Sequence, residues 1–194
     1  MAAAAAAPRA HALILPYPAQ GHVIPLMELA HCLVDRGFAV TFVNTEHNHR
    51  RVVAAAAAAA SAGAGGVQAP GIRARRLRLV AVADGMGDGE DRDNLVRLNA
   101  TMEEAIPPQL EPILDGAGGE GQLGKVTCVV VDVGMSWALD AVKRRGLPAA
   151  ALWAASAAVL AVLLGAQKLI RDGVIDDDGM IFDKRPAHLF YSSN

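Results

Sequence analysis

The sequence has 194 residues; 53% are hydrophobic, only 4% are aromatic, and 20 acidic against 18 basic residues give a net charge of -2. This length fits one domain of about 100–200 residues and is too short for a complete two-domain enzyme. The near-neutral charge provides no basic field for phosphate backbones, which argues against a dedicated nucleic-acid-binding protein.

The first elements follow a β-α-β pattern. An apolar run, His11–Leu15, predicts a buried strand that ends before Pro16. Residues 23–36 carry apolar side chains at helical spacing, and Gly37 stands where a C-terminal cap belongs. Residues 38–43 are β-branched and aromatic, which predicts a second buried strand.

The middle of the chain changes composition. Residues 54–71 are rich in alanine and then glycine, which predicts a helical first half followed by a flexible surface linker. We expect a strand over 72–82 and an acidic, glycine-rich loop over 83–93. This loop lacks the ligand order of a calcium-binding loop. Residues 94–114 have a helical pattern, with a break or a restart at Pro107 and Pro108.

The last part repeats the alternation. The predicted elements are a strand over 126–131 that ends on Asp132, a helix over 135–145, a strand over 147–153 and a helix over 156–171. Alternating strands and helices predict an α/β fold, a doubly wound, Rossmann-like parallel sheet covered on both faces.

An uncharged stretch, residues 149–166, has the length of a marginal membrane span. About half of it is alanine, and Pro148 and Ser156 divide the region into strand, turn and helix. We therefore expect buried core and no membrane span. Cys32 and Cys128 form no closely spaced pair, which favours a reducing, cytoplasmic setting over a disulfide framework or a zinc cluster.

Two candidate catalytic residues follow predicted strands. His22 begins the first helix, and Asp132 ends the strand over 126–131. The carboxyl ends of parallel strands form the ligand-binding edge of such a sheet, where an aspartate can orient a histidine base and stabilise its imidazolium form. A structural histidine and a helix-capping aspartate are the alternatives.

The other sequence motifs do not indicate a specific function. The dinucleotide fingerprint is missing after the first strand, and the sequence contains neither the phosphate-binding P-loop nor the hydrolase nucleophile elbow. His47 and His49 could form a metal pair, but no cysteine ligand lies near them in the sequence, so we expect them on the surface and expect no metal site.

Several segments together resemble one family. These are the opening segment from His11 to Ala30, the segment 40–45, the segment 128–138 and Gly146-Leu-Pro148. In order and spacing they resemble the plant family-1 UDP-glycosyltransferases, and in particular their 83A-type branch. The resemblance extends over nearly the whole chain, to Gly179.

The resemblance implies the N-terminal, acceptor-binding domain of a GT-B fold. We expect residues 1–183 to form this domain and residues 184–194 to be a tail where the donor domain would follow. The Trp-rich donor signature of the C-terminal UDP-sugar domain does not occur in the 194 residues. We therefore expect the chain alone to have little or no transferase activity.

The resemblance also implies the chemistry. His22 would deprotonate an acceptor hydroxyl and Asp132 would balance the charge, while a sugar, glucose by expectation, transfers with inversion from a UDP-sugar co-substrate without a cofactor or a metal. Gly21 would lie next to the donor, and Val133 and Gly134 would contact the acceptor.

The same resemblance suggests what the acceptor is and where it binds. It implies a small hydrophobic phenol, flavonoid or terpenoid of plant secondary metabolism, in a pocket that also includes the 84–93 loop and the helix around Asn99. The alternative is a non-catalytic remnant that binds a small molecule or a partner.

Overall fold

The computed structural model describes residues 10–61, 76–116 and 123–176. They divide between two compact units, Met1–Ala154 and Ala155–Asn194. The expected linker after residue 61, the first residues of the strand expected over 72–82 and the tail over 184–194 lie outside the described residues.

The first unit is built on a parallel sheet of five strands in the order β3-β2-β1-β4-β5. The strands are β1 (His11–Leu15), β2 (Ala39–Thr45), β3 (Leu77–Val82), β4 (Cys128–Asp132) and β5 (Ala149–Leu152). β1 and β2 are buried along their whole length because both faces of the central sheet are covered. The predicted doubly wound α/β fold is confirmed.

Helices connect the strands. They are α1 (Gln20–Asp35), α2 (Glu46–Ser61), α3 (Leu95–Leu114) and α4 (Leu139–Arg144), with a 3-10 turn (Val133–Ala138) before α4. Gly37 ends α1 with φ of 93°, a conformation that glycine adopts without a Cβ penalty, as its predicted capping role requires. In the second unit, α5 (Ala157–Arg171) begins at Ser156, whose hydroxyl accepts a hydrogen bond from the Ala158 N–H.

Strand alternation divides the core into two clusters. Leu13 and Val43 belong to the cluster that α3 covers, whereas Ile14 and Phe42 belong to the cluster that α1 covers. All four side chains are at most 1% exposed. The two layers fix the sheet between helices, so the carboxyl ends of β1, β2 and β4 meet at one edge.

The predicted break in α3 is wrong. The helix continues from Leu95 to Leu114 with Pro107, Pro108 and Pro112 inside it. Its buried side chains recur every three or four residues and pack into the core (Leu98, Met102, Ile106, Leu110, Ile113 and Leu114). The Gln109 side chain also pairs with both the N–H and the carbonyl of Ala83, just after β3. Tertiary packing thus outweighs the hydrogen bonds that the prolines cannot donate.

The uncharged stretch 149–166 is divided between β5 and α5, as the expected strand, turn and helix require. The expectation that it forms buried core is wrong, because residues 149–151 of the edge strand β5 are exposed and α5 has no buried residue. Among the described helices, none has the length and apolar character that crossing a membrane requires.

His11 lies buried at the amino end of β1, only 3% exposed. Its Nδ1 donates to the Gly124 carbonyl at 2.9 Å, so its Nε2 accepts from the Thr41 hydroxyl, also at 2.9 Å. Burial lowers the pKa of His11 below 6.5, and the nearby Arg78 charge adds to the effect, outweighing the backbone carbonyls that favour the charged form. The folded chain therefore holds His11 neutral.

This buried histidine predicts acid sensitivity. Because the folded state binds the His11 proton less readily than the unfolded chain, this contribution to stability is complete above pH 6.5 and is lost as the pH falls below that value. Between pH 6.5 and the lowered pKa, the free energy of unfolding should fall by up to about 1.4 kcal/mol per pH unit from this group. Urea unfolding at pH 7.5, 6.5 and 5.5 measures the slope.

The matched variants are His11→Gln and His31→Gln. His11→Gln should flatten the slope, although it lowers stability at pH 7.5 by removing buried hydrogen bonds. His31→Gln changes a half-buried position on α1 and should retain the slope. An unchanged slope in His11→Gln would contradict the assignment.

Candidate active site

The candidate site lies between β1 and β4, the two strands at which the sheet order reverses. From β1 the chain continues toward β2 and β3, whereas from β4 it continues toward β5. The two connections therefore diverge at the carboxyl edge and leave a crevice between them, which is the usual ligand site of a doubly wound sheet. α1 and the 3-10 turn begin at this crevice.

His22 and Asp132 meet there. His22 is the third residue of α1 and Asp132 is the last residue of β4; the His22 Nδ1 lies 2.8 Å from the Asp132 Oδ2. The side chain of Asp132 is 2% exposed and that of His22 is 34% exposed. The carboxylate is thus enclosed by the protein, while the histidine ring reaches solvent on the side away from it.

A second hydrogen bond completes the surroundings of Asp132. Its Oδ1 accepts from the Gly134 N–H at 2.8 Å, in the first turn of the 3-10 turn. Since a carboxylate only accepts, Nδ1 is the nitrogen of His22 that carries the proton, and Nε2 keeps its lone pair. Among the described residues, Nε2 has no hydrogen-bond partner. This arrangement leaves Nε2 as the ring nitrogen that could accept a proton from a bound ligand.

Tyr17 packs beside this pair. Its ring centroid lies 5.4 Å from that of His22, with the planes tilted by 58°, and the residue is 8% exposed. Burial raises the pKa of the Tyr17 phenol above 10.0, and the charge of Asp132 adds to the effect. Tyr17 is therefore a neutral, largely apolar wall next to the histidine.

The other predicted site residues surround the pair. A Cβ built at Gly21 meets no heavy atom within 4 Å, so the space above this exposed residue is open. Val133 is half-buried and Gly134 is exposed, directly after Asp132. The crevice thus brings together the five residues that the sequence singles out, His22, Asp132, Gly21, Val133 and Gly134.

A cavity of about 310 Å³ lies next to the pair. Residues 17–20 form one side of it, Thr45 and the first turns of α2 form a second side, and the 84–93 loop with the start of α3 forms a third. Leu95 and Leu98, at the start of the helix that contains Asn99, line it. Asn99 itself and the five residues His22, Asp132, Gly21, Val133 and Gly134 are not among its lining residues. Tyr17 is both a cavity wall and a neighbour of His22.

An ion pair forms part of the cavity wall. Arg92 donates from Nε to the Asp84 Oδ2 at 2.8 Å and from a terminal nitrogen to Oδ1 at 3.2 Å. Burial raises the pKa of Asp84, but the bonds from Arg92 and from the Met86 N–H outweigh it, and the pKa lies below its ordinary value. This two-bond contact fixes the 84–93 loop against the cavity.

Several polar residues in the cavity wall were not identified from the sequence. Asn48 is 6% exposed, and the side chains of Asn48, His47 and Arg51 form no hydrogen bond or ion pair with other residues that the structure describes. The expected surface position is wrong for both histidines: His47 is half-buried in the cavity wall, and His49 is half-buried with its Nδ1 enclosed by the protein. One sequence signal was available, since α2 directly follows the carboxyl end of β2.

No group of three or more His, Cys, Asp or Glu side chains able to hold a metal comes together within residues 10–61, 76–116 and 123–176. The acidic loop over 83–93 instead uses Asp84 and Glu90 to bind its own backbone N–H groups and arginine side chains.

Known proteins resemble this chain in sequence. UDP-glycosyltransferase 83A1 of Arabidopsis thaliana is 32% identical over 175 residues, which cover 89% of this chain and 36% of that protein. (R)-mandelonitrile beta-glucosyltransferase of Prunus dulcis is 32% identical over 177 residues, which cover 90% and 34% of the two chains. The chain thus spans about a third of the length of these curated relatives. No family model matches the chain.

Solved structures resemble it in fold. LpCGTa in complex with UDP aligns with a TM-score of 0.61 and 20% identity, over 92% of this chain and 38% of that one. Os79 from O. sativa in complex with UDP aligns with a TM-score of 0.58 and 22% identity, over 84% and 36%. Because the alignments cover between a third and two fifths of the neighbours' chains, they are consistent with the N-terminal domain of a GT-B fold.

The hydrogen bonds around Asp132 predict the effect of Asp132→Asn. If the amide oxygen continues to accept from the Gly134 N–H, the amide NH₂ faces the His22 Nδ1, and two donors cannot share one bond. His22 should therefore move its proton to Nε2. Long-range ¹H–¹⁵N correlation spectra of the histidine ring distinguish the two tautomers.

The matched control is Asp140→Asn, an exposed position on α4, which should leave the His22 tautomer unchanged. A variant Asp132→Asn that folds and retains the proton on Nδ1 would contradict the described hydrogen bonds.

Proposed function

We propose that the chain forms the acceptor-binding part of an inverting glycosyltransferase, like the plant UDP-glycosyltransferases to which its sequence is similar. In this proposal, glucose passes from a UDP-sugar to a hydroxyl of a small acceptor. The observation that carries the proposal is the 2.8 Å hydrogen bond between His22 and Asp132 at the reversal of the sheet order.

The proposed step is a single displacement. The Nε2 of His22 accepts the proton of the acceptor hydroxyl as its oxygen forms a bond to the anomeric carbon. The bond from that carbon to the UDP oxygen breaks on the opposite face, and UDP leaves with the electron pair. Asp132, through Nδ1, stabilises the imidazolium that forms.

The donor would approach over Gly21. The open space above this glycine supports the proposal, because a side chain there would project from the start of α1 toward a bound ligand. The UDP-sugar is a co-substrate in this scheme. The solved neighbours LpCGTa and Os79 bind UDP.

The acceptor would enter the cavity beside Tyr17. Its volume of about 310 Å³ lies near the lower end of the roughly 300–1,000 Å³ range of ligand pockets, which favours a compact acceptor such as a single-ring phenol. Tyr17 and Leu98 supply apolar surface, whereas Asn48 and Arg51 supply polar groups. We therefore propose an acceptor with an apolar body and at least one further polar substituent.

Binding of a probe tests the acceptor site. Titration of the chain with 4-nitrophenol should give saturable amide shift changes in residues 17–20, 45–51 and 84–98. Asn48→Ala removes a side-chain amide from the cavity wall that could bond to the probe, so it should weaken binding about fivefold. The control is Arg50→Ala, an exposed change on α2 outside the cavity lining, which should not alter the dissociation constant.

Shift changes confined to another region, or none that saturate, would contradict an acceptor site in this cavity.

Transfer itself tests the role of His22. A fusion of residues 1–194 to the UDP-sugar-binding part of a homologous UDP-glycosyltransferase should glucosylate a phenol that the chain binds. His22→Ala should lower kcat by about 10²–10⁴, the usual contribution of general base catalysis. Product formation from UDP-glucose, followed by mass spectrometry, measures it. His31→Ala serves as the matched control.

The unfused chain should bind the phenol and transfer little or no sugar, because the groups that would stabilise the departing UDP are proposed to lie in the donor domain. Binding without His22-dependent transfer in the fusion would favour the alternative, a non-catalytic small-molecule-binding protein.

A further inference from the structure

We propose that Tyr17 and Gly134 are positioning residues for His22, which together hold its ring with Nδ1 toward Asp132. The relevance of this positioning to catalysis rests on the proposed function. The packing of Tyr17 and Gly134 around His22 and Asp132 does not depend on that function. Neither residue needs to touch a substrate for this role.

Gly134 stands where no side chain fits. A Cβ at this position would lie 2.9 Å from the Tyr17 Cδ2 and 3.3 Å from the Asp132 Oδ1. The φ angle of Gly134 is not positive, so the backbone conformation itself does not demand glycine. The requirement is space, because the Tyr17 ring lies directly against the backbone that donates to Asp132.

Tyr17 transmits this contact to the histidine. Its ring lies against Gly134, and its centroid is 5.4 Å from that of the His22 ring. The His22 side chain is 34% exposed, so the hydrogen bond to Asp132 and the contact with Tyr17 are what restrict its rotation. A flip of the imidazole about its Cβ–Cγ bond would remove Nδ1 from Asp132 and point a carbon at the carboxylate.

Four contacts among these residues together restrict the His22 ring. The Gly134 N–H fixes the Asp132 carboxylate, Asp132 fixes the His22 Nδ1, and Tyr17 packs against both Gly134 and the His22 ring. Enlarging Gly134 would displace the Tyr17 ring that contacts His22 and would crowd the Asp132 carboxylate at the same time. Shrinking Tyr17 would release the histidine ring and leave the carboxylate in place.

The experiment compares tautomers in the 194-residue chain by long-range ¹H–¹⁵N spectroscopy. In the unchanged chain, a charge-assisted bond to one nitrogen should give about a tenfold or greater excess of the Nδ1–H tautomer of His22. Gly134→Ala should reduce this excess several-fold. The control is Gly87→Ala, where φ is not positive and a Cβ meets only the Glu90 side chain, at 3.6 Å or more; the excess should be retained.

Two changes at Tyr17 keep the test decisive if Gly134→Ala fails to fold. Tyr17→Phe preserves the ring and should retain the excess, whereas Tyr17→Leu removes the flat face and should reduce it. Rescue by the aromatic variant separates positioning from a general loss of packing. A folded Tyr17→Leu chain with the full excess, or a folded Gly134→Ala chain with the full excess, would overturn the proposal.

The tautomer experiment and the sugar-transfer experiment can fail independently of each other. If the tautomer responds as expected while the fusion described above shows no dependence on His22, the positioning role stands and the proposed function fails. If the fusion requires His22 but tolerates Gly134→Ala and Tyr17→Leu with unchanged kcat, the positioning role fails and the proposed function stands.

Discussion

The hydrogen bond between His22 and Asp132 is the interaction on which the site depends. Asp132 is a carboxylate with a 2% exposed side chain, and a buried charge is tolerated only when its oxygens are bonded. The Gly134 N–H satisfies one oxygen and His22 satisfies the other. The hydrogen bond that stabilises the buried Asp132 charge thus also places the His22 proton on Nδ1. Nε2 is left without a proton because Asp132, buried at the sheet edge, can only accept hydrogen bonds.

The fold brings the two partners of the His22–Asp132 hydrogen bond together. β1 and β4 are neighbours in the sheet although more than a hundred residues separate them in sequence, and both end at the same edge. The apolar layers on the two faces, built around Phe42 on one and Met102 on the other, keep that edge rigid. The site is therefore stabilised mainly by core packing that is remote from it, and the 310 Å³ cavity opens beside it at the starts of α1, α2 and α3.

The central strands and the main pair could be predicted from the sequence, for physical reasons. β1 and β2 are short, mostly apolar runs because both of their faces are buried, and the apolar β4 has one buried and one half-buried face. A parallel sheet then brings His22 and Asp132 to one edge. The break at Pro107 was predicted wrongly, because local propensity takes no account of the core contacts of α3. The contact of Gly134 with Tyr17 could not be predicted from the sequence either, because it depends on where the 3-10 turn after β4 lies relative to the residues that follow β1.

The central claim is that the cavity delivers a hydroxyl to the free nitrogen of His22. A crystal structure of the chain with a bound phenol tests it most directly. The account predicts that the phenol lies in the cavity beside Tyr17, with its oxygen about 2.6–3.2 Å from the His22 Nε2. A phenol bound in the cavity with its hydroxyl directed away from His22, toward Asp84 and Arg92 for example, would contradict the claim.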